Sequence, residues 1–419
     1  MDAPQGIWTP QARSEGVVVL EDDYFQVWHR FEDIIRSKSW NVLPAGIETQ
    51  AEPPDYPIPN VHIQSSKDLH CYNMDVRGRL DTHKKHAISF YHQLFGESFE
   101  TDEITLFPSS TQAMLAVLMS RNEDASHNIV FETPSYFGGI YQAKHLGYTP
   151  RLLITSESEE FEADQDSAQI LLQEVGARFI LILTEPKFAT GHKRNYARLK
   201  RFLGSLPKTV IVVVDEAPTL EFGIREDYND ALRSFSGDIY RIRGITKGLG
   251  LNGVKAAVLK HPRIQRSSLS SVHDTISGSL DAYSLKYIEA ISQVPQAFNG
   301  MLEAAKKTVK SNAKLFAALV EDKHILTAKI DSGFFGAAKI DLGNYAASEF
   351  PARRELFLAH AEKLQTPLVS GTSLYLPSDR RYEWVRINFY LERSELIKSA
   401  QVLNEISANY HLQAEKIFS

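Results

Sequence analysis

Cysteine occurs once, at Cys71, in a chain of 419 residues. One thiol excludes an intramolecular disulfide framework and a cysteine-based zinc site, and with no motif around it Cys71 reads as a small packed residue. No segment approaches the roughly 18 uninterrupted apolar residues of a membrane span. The formal net charge is only −6 and the sequence pI about 6.2, so no broad attraction to nucleic acid or to an anionic membrane is expected. Internal repeats and low-complexity tracts are missing as well. The opening residues, MDAPQGIWTP, carry neither a basic n-region nor an apolar h-region. That argues against a signal peptide and makes a cytoplasmic setting the expectation. What is present is ordinary globular material, 43% apolar and 23% charged, in a chain long enough for one large or two medium domains.

A proline-rich stretch, AEPPDYPIPN over 51–60, predicts an extended, non-helical connection. From about residue 85 helical and strand-like segments alternate. STQAMLAVLMSRN (110–122) predicts a helix opened by Ser and Thr. NIVFETP (128–134), RLLITS (151–156), FILILTEP (179–186) and TVIVVVDEA (209–217) are short apolar runs rich in Ile and Val. Such runs fit strands covered on both faces, as in a mostly parallel sheet. FGGIYQAKHLGY and ADQDSAQILLQEVG between them predict helices. The alternation predicts an α/β layer fold. After residue 280 a long helical stretch, interrupted or kinked near Pro295 and Gly300, leads to mixed strands (FFGAAKI, WVRINFYL) and helices (RRELFLAHAEKL, RSELIKSAQVLNEISANYHL). The expected division is an N-terminal segment 1–74 packing on both domains, a large α/β domain 75–290, and a small α+β domain 291–419.

The stretch RGITKGLGLNGVK places Gly248, Gly250 and Gly253 in the spacing G-x-G-x-x-G. A dinucleotide loop needs a helix opening at these glycines and an acidic residue roughly 20 positions on. Here VKAAVLKHP follows, which reads as a strand at least as well as a helix, and the next acid is Asp274 within SSLSSVHDTIS. The same stretch sets Lys247 just before the glycine-rich turn. A lysine that forms a Schiff base with pyridoxal 5'-phosphate needs a carboxylate for the pyridine nitrogen, an aromatic ring over the cofactor, and a helix N-terminus for the phosphate. Asp215 ends the apolar run TVIVVVDEA, where an unpaired acid is costly; a structural cap of the next turn is its other reading. Ser109, Ser110 and Thr111 open a predicted helix, as an anion site or as an ordinary N-cap. Tyr136, in TPSYFGG, supplies a ring or packs as any tyrosine does.

Taken in order, a Ser/Thr helix start, Pro-Ser-Tyr, a strand-terminal Asp and Thr-Lys-x(7)-Lys resemble fold-type I pyridoxal-phosphate enzymes, specifically the class I/II aminotransferase family, from about Tyr72 to Arg386. The resemblance implies an aminotransferase-like large domain and roles by position. Lys247 carries the cofactor as a Schiff base after Thr246, and Lys255 binds the phosphate where the family usually has Arg. Asp215 holds the pyridine nitrogen, Ser109, Ser110 and Thr111 form the phosphate loop, and Tyr136 stacks on the ring. Tyr72, before Gly78, reaches the partner subunit's phosphate in a homodimer, and Arg386 holds the substrate α-carboxylate. In WVRINFYL, Trp384, Arg386, Asn388 and Tyr390 alternate with apolar residues. Arg386 is thus placed on the more polar face, as a carboxylate clamp or as part of a solvated strand face. The substrate implied is an L-amino acid, with a keto acid as partner in transamination; no metal, nucleic acid or membrane is implied.

The family pattern is broken in two places. Where N-P-x-N-P-T-G is usual, the chain has EPKFATG, with Phe188 at the second Asn; where D-x-x-Y is usual, it has Pro218. Both usual donors to the cofactor's phenolic oxygen are thereby replaced. A phenolate without those bonds is less stabilised, so the Lys247 Schiff base is expected to keep its proton to higher pH unless Lys187, His192 or Lys193 substitutes. Lyase, decarboxylase, cyclase or oxidase chemistry on the same cofactor, in specialised amino-acid or natural-product biosynthesis, is the alternative. A non-catalytic relative such as a regulator's effector domain stands third, disfavoured by the retained lysine.

Overall fold

The computed structural model describes residues 16–19, 31, 33–34, 79–121, 128–155, 160–221, 223, 225–244, 254–276, 280–320, 324–327, 330–343, 349–370 and 381–418. The Ile- and Val-rich runs are strands of one eight-stranded sheet. Its members are β1 (Gly16–Val19), β2 (Ile104–Phe107), β3 (Asn128–Glu132), β4 (Thr149–Ile154), β5 (Ile180–Thr184), β6 (Ile211–Asp215), β7 (Asp238–Gly244) and β8 (Ala257–Lys260). They lie in the order β1-β4-β3-β5-β6-β7-β8-β2. Neighbours from β4 through β7 are parallel, while β1 and β8 run against their neighbours. The segment after Gly253 forms strand β8 rather than the helix that a dinucleotide loop would open.

Parallel connections place helices on both faces. These are α1 (Arg79–Phe95), α2 (Ser110–Arg121), α3 (Phe137–His145), α4 (Gln165–Glu174), α5 (Tyr196–Gly204), α6 (Glu226–Arg233) and α7 (Arg266–Ile276). Val117 of α2, Ile140 of α3 and Leu269 of α7 pack with Ile211, Val213 and Ile242 on one face. Leu171 of α4, Phe202 of α5 and Tyr228 of α6 pack with Val212 and Val214 on the other. Consecutive β6 side chains therefore enter opposite cores, each buried residue contributing on the order of 1.5–3 kcal/mol.

The remaining helices are α8 (Ala282–Gln293) and α9 (Pro295–Leu319). The expected interruption falls at Val294, with Pro295 in the first turn of α9, where its missing N–H breaks no helical bond. Gly300 lies inside α9, with no interruption of the helix there. A second sheet has the order β11-β10-β9, from β9 (Ile325–Thr327), β10 (Phe335–Asp341) and β11 (Tyr382–Asn388), all antiparallel. Helices α10 (Phe350–Lys363) and α11 (Arg393–Ile417) accompany it, and Arg354 of α10 donates to Glu383 of β11 at 2.8 Å. Among the described residues no helix is long and apolar enough to cross a membrane.

Candidate active site

The parallel register fixes where the candidate residues can meet. Thr184, Asp215 and Ile242 are aligned across β5, β6 and β7, so Asp215 sits at the C-terminal edge of the sheet. Phe107 and Gly244, the last residues of β2 and β7, both pair with Ala257, the first of β8. Ser109–Thr111, Lys255 and the C-terminal end of β7 at Gly244 consequently belong to that same edge, where ligands of open α/β sheets bind. Tyr72, Thr246 and Lys247 themselves lie outside the described residues.

Ser109 is the N-cap of α2, its hydroxyl accepting from the Gln112 N–H at 3.1 Å and its carbonyl from Ala113 N–H at 3.0 Å. Ser109 thus caps the helix, while Ser110 is half-buried and Thr111 exposed in the first turn of a twelve-residue helix. Lys255 is exposed just before β8. Asp215 is half-buried, and its Oδ1 accepts from the Ala217 N–H at 3.0 Å.

Tyr136 follows β3 and precedes α3. A Cβ on Gly138 would lie 2.5 Å from Tyr136 Cε1, so only glycine lets the ring fold back over this turn. The ring stands 4.8 Å from Phe137 and 5.8 Å from Phe188. Burial raises the phenol above its ordinary value; a hydrogen bond with Thr111 opposes this, the Asp215 charge adds to it, and the Arg386 charge subtracts. Those four residues therefore act within one electrostatic neighbourhood.

Arg386 sits opposite Ala337 on β10, with its guanidinium 4.2 Å from the Phe335 ring. It is only 4% exposed, and Val385, Ile387 and Asn388 beside it are buried too. The solvated-face reading of β11 fails because every residue from Glu383 to Asn388 is buried, so alternation in sequence does not translate into alternation in burial.

The EPKFATG loop closes the site from the side of the small sheet. Phe188 is buried edge-on between Tyr136 and Phe335, the latter 6.4 Å away. The Gly191 carbonyl accepts from the N–H groups of Asp331 at 2.7 Å and Ser332 at 3.1 Å. Gly191 has φ +75°, and a Cβ there would lie 2.9 Å from Ile330 Cγ1. Pro218 is buried, its carbonyl against Gly333. Of the three side chains considered as replacement donors, one is clearly committed elsewhere. Lys187 is held by Glu132, its buried Nζ 2.5 Å from Oε1, whereas Lys193 lies over the Tyr196 ring at 5.8 Å and the His192 ring stands 5.8 Å from Phe161.

Sequence reading missed the charges beneath these residues. Arg194 donates to both oxygens of Glu132, at 3.1 and 2.7 Å, and to the Thr184 carbonyl at 2.8 Å. Burial alone would raise Glu132, but Arg194 and then Lys187 outweigh it and hold its carboxyl at about 2. Burial, followed by Arg194, lowers Lys187, against the pull of Glu132 and Glu162. A second group joins Glu216 to Arg241, Arg243 and Tyr228. The available signal was DIYRIRG, in which Arg241 and Arg243 share one face of a strand whose neighbours are apolar.

A model of the family described as aminotransferase class I and II matches residues 58–403. The chain belongs to that family. Its fold is similar to solved aminotransferases. The Thermus thermophilus aspartate aminotransferase with maleate is 14% identical, with TM-score 0.67 over 93% of this chain and 97% of that one. N-succinyldiaminopimelate aminotransferase from Mycobacterium tuberculosis is 15% identical, with TM-score 0.69 over 92% and 100%. The aromatic aminotransferase from Pyrococcus horikoshii OT3 is 16% identical, with TM-score 0.69 over 91% and 100%. No curated protein matches the chain in sequence. Membership makes the chain a pyridoxal-phosphate-dependent transferase, the cofactor being general to the family. The residues present fit such a group: a carboxylate at a strand end, a tyrosine ring seated on glycine, and the open first turn of α2.

Proposed function

We propose that the chain is an aminotransferase acting on an L-amino acid, with Lys247 as the residue that carries the cofactor. The observation that supports this best is the gathering of Asp215, Tyr136, Thr111 and Arg386 in one neighbourhood at the sheet edge where the chain continues from Gly244 toward Lys247. When bound, the cofactor supplies an electron sink for the bonds at the substrate Cα. Asp215 keeps a proton on the pyridine nitrogen by charge. Ser109, Ser110 and Thr111, with Thr246 and Lys255, bind the phosphate at the positive end of α2. Tyr136 covers one ring face. Arg386, desolvated against Phe335, offers two parallel N–H donors to the substrate carboxylate and so fixes which Cα bond faces the lysine. The Lys247 amine, once freed, takes the Cα proton as general base and returns it in transamination. We further propose a homodimer in which Tyr72 serves the partner's phosphate site, and a boundary between the large and small domains near residue 290.

Phe188 and Pro218 favour one second reading, a non-transaminating lyase, decarboxylase, cyclase or oxidase, since both usual phenolate donors are replaced. Incubation with single amino acids, with and without 2-oxoglutarate, separates the two. Keto-acid-dependent glutamate formation is expected; product formed without an acceptor favours the second. Lys247→Ala is expected to abolish turnover together with the visible absorption of the lysine-bound cofactor, and retained turnover would sink the assignment.

A further inference from the structure

Glu216 follows Asp215 directly, and consecutive side chains at an extended strand end point to opposite faces. Asp215 belongs to the face of α2 and Tyr136; Glu216 is 1% exposed on the face of α6. There its Oε1 accepts from Arg241 Nε at 2.5 Å and from the Tyr228 hydroxyl at 2.5 Å, while its Oε2 pairs with Arg243. The main chain grips the same place, the Glu216 N–H donating to the Ile242 carbonyl at 2.8 Å. Both handles of one residue therefore hold the span 241–243 of β7. Arg241 extends the grip to α1's end by donating to Glu97 at 2.9 Å. The held span ends four residues before Lys247.

Stability alone does not call for this arrangement. A buried ion pair costs several kcal/mol per ion in desolvation, and well-packed apolar replacements are often as stable or more so. Val212 and Val214 show the apolar solution on the same face of the same strand. What the carboxylate adds is registration between the turn bearing Asp215 and the strand that leads to Lys247. We propose that Glu216 is a positioning residue that fixes the spacing between the Asp215 carboxylate and the β7 exit, so that Asp215 and Lys247 would be presented to one cofactor together. This rests on the roles proposed above for Asp215 and Lys247.

The test uses full-length Glu216→Gln, Glu216→Asp and Tyr228→Phe, each as apoprotein and as reconstituted holoenzyme. Cofactor affinity is read by quenching of intrinsic fluorescence, together with the visible band, its pH midpoint, and kcat and KM. Glu216→Gln should bind the cofactor roughly tenfold more weakly and move the pH midpoint of the band. It should lose up to about a hundredfold in kcat while KM for the amino acid stays close to wild type, because Arg386 is untouched. Glu216→Asp, which restores the charge, should recover part of each loss. Tyr228→Phe, which removes one hydrogen bond from the same carboxylate, should lower the thermal midpoint alone. A folded Glu216→Gln with wild-type affinity, band and kcat overturns the proposal, as does Tyr228→Phe reproducing the full spectral change. Should Glu216→Gln lack a native circular dichroism spectrum, Glu216→Asp decides, with wild-type values in every readout overturning it. A wild-type protein without any Lys247-dependent visible band overturns instead the functional reading, and this proposal with it.

Discussion

Phe188 places an aromatic edge against Tyr136 and Phe335, and in sequence it stands where the family's second Asn is usual. A hydrocarbon ring cannot hydrogen-bond a phenolate, so if the cofactor's oxygen faces this residue, as proposed above, it is one donor short. Phe188→Asn returns a donor. The reconstituted variant should titrate its visible band roughly one unit lower in pH than wild type, the size of one hydrogen bond to a charged group. An unchanged midpoint would show that a different group already serves the oxygen. The residue scale was partly legible: Asp215 draws attention because an acid closing an Ile/Val run is conspicuous, and it does lie half-buried at the C-terminal edge of the sheet. Lys187 was not legible, since a lysine beside a candidate site looks available until Glu132 is seen to hold it. Arg386 was located by its position on β11, but its burial required knowing what covers both sides of that strand.

At the scale of elements, Glu132 joins the end of β3, which leads to Tyr136, to the loop that carries Phe188. Removing its charge takes the ion-pair partner from Lys187 and leaves Arg194 with the longer contacts to Glu162 and Glu185, at 3.5 and 3.4 Å, in a dry interior. Glu132→Gln should cost on the order of 3–5 kcal/mol near neutral pH in denaturant unfolding. The pH dependence has a definite sign. The folded carboxyl is held at about 2, below its ordinary 4.5, so its contribution is complete above 4.5 and is lost as pH falls toward 2. The gap between wild type and variant should therefore narrow across that window and stay level above it; a gap independent of acid would contradict the pairing. Strands and helices were legible because β-branched runs and capped apolar segments announce themselves locally. The ion pairs were not, because Glu132 and Arg194, or Glu97 and Arg241, lie far apart in sequence and meet only once the sheet order is known.

At the scale of the molecule, the order β1-β4-β3-β5-β6-β7-β8-β2 brings segments from 109 to 255 to one edge, and the small sheet adds Arg386 from 386. If Tyr72 serves the partner's site, inactive Tyr72→Ala and Lys247→Ala proteins should regain activity when mixed and allowed to exchange subunits. Persistent inactivity in mixtures shown to exchange by sedimentation would argue for self-contained sites. Gly191→Ala should lower the thermal midpoint, since the left-handed backbone and the 2.9 Å approach to Ile330 both resist a side chain. The Gly191 carbonyl has a further consequence. One oxygen receiving two successive N–H groups, from Asp331 and Ser332, ties the Phe188 loop to the chain entering β10. Phe335 at the start of that strand also touches Phe188 and pairs with Asn388 of β11, two residues from Arg386, so a change in the loop is passed toward Arg386 through backbone as well as through ring contact.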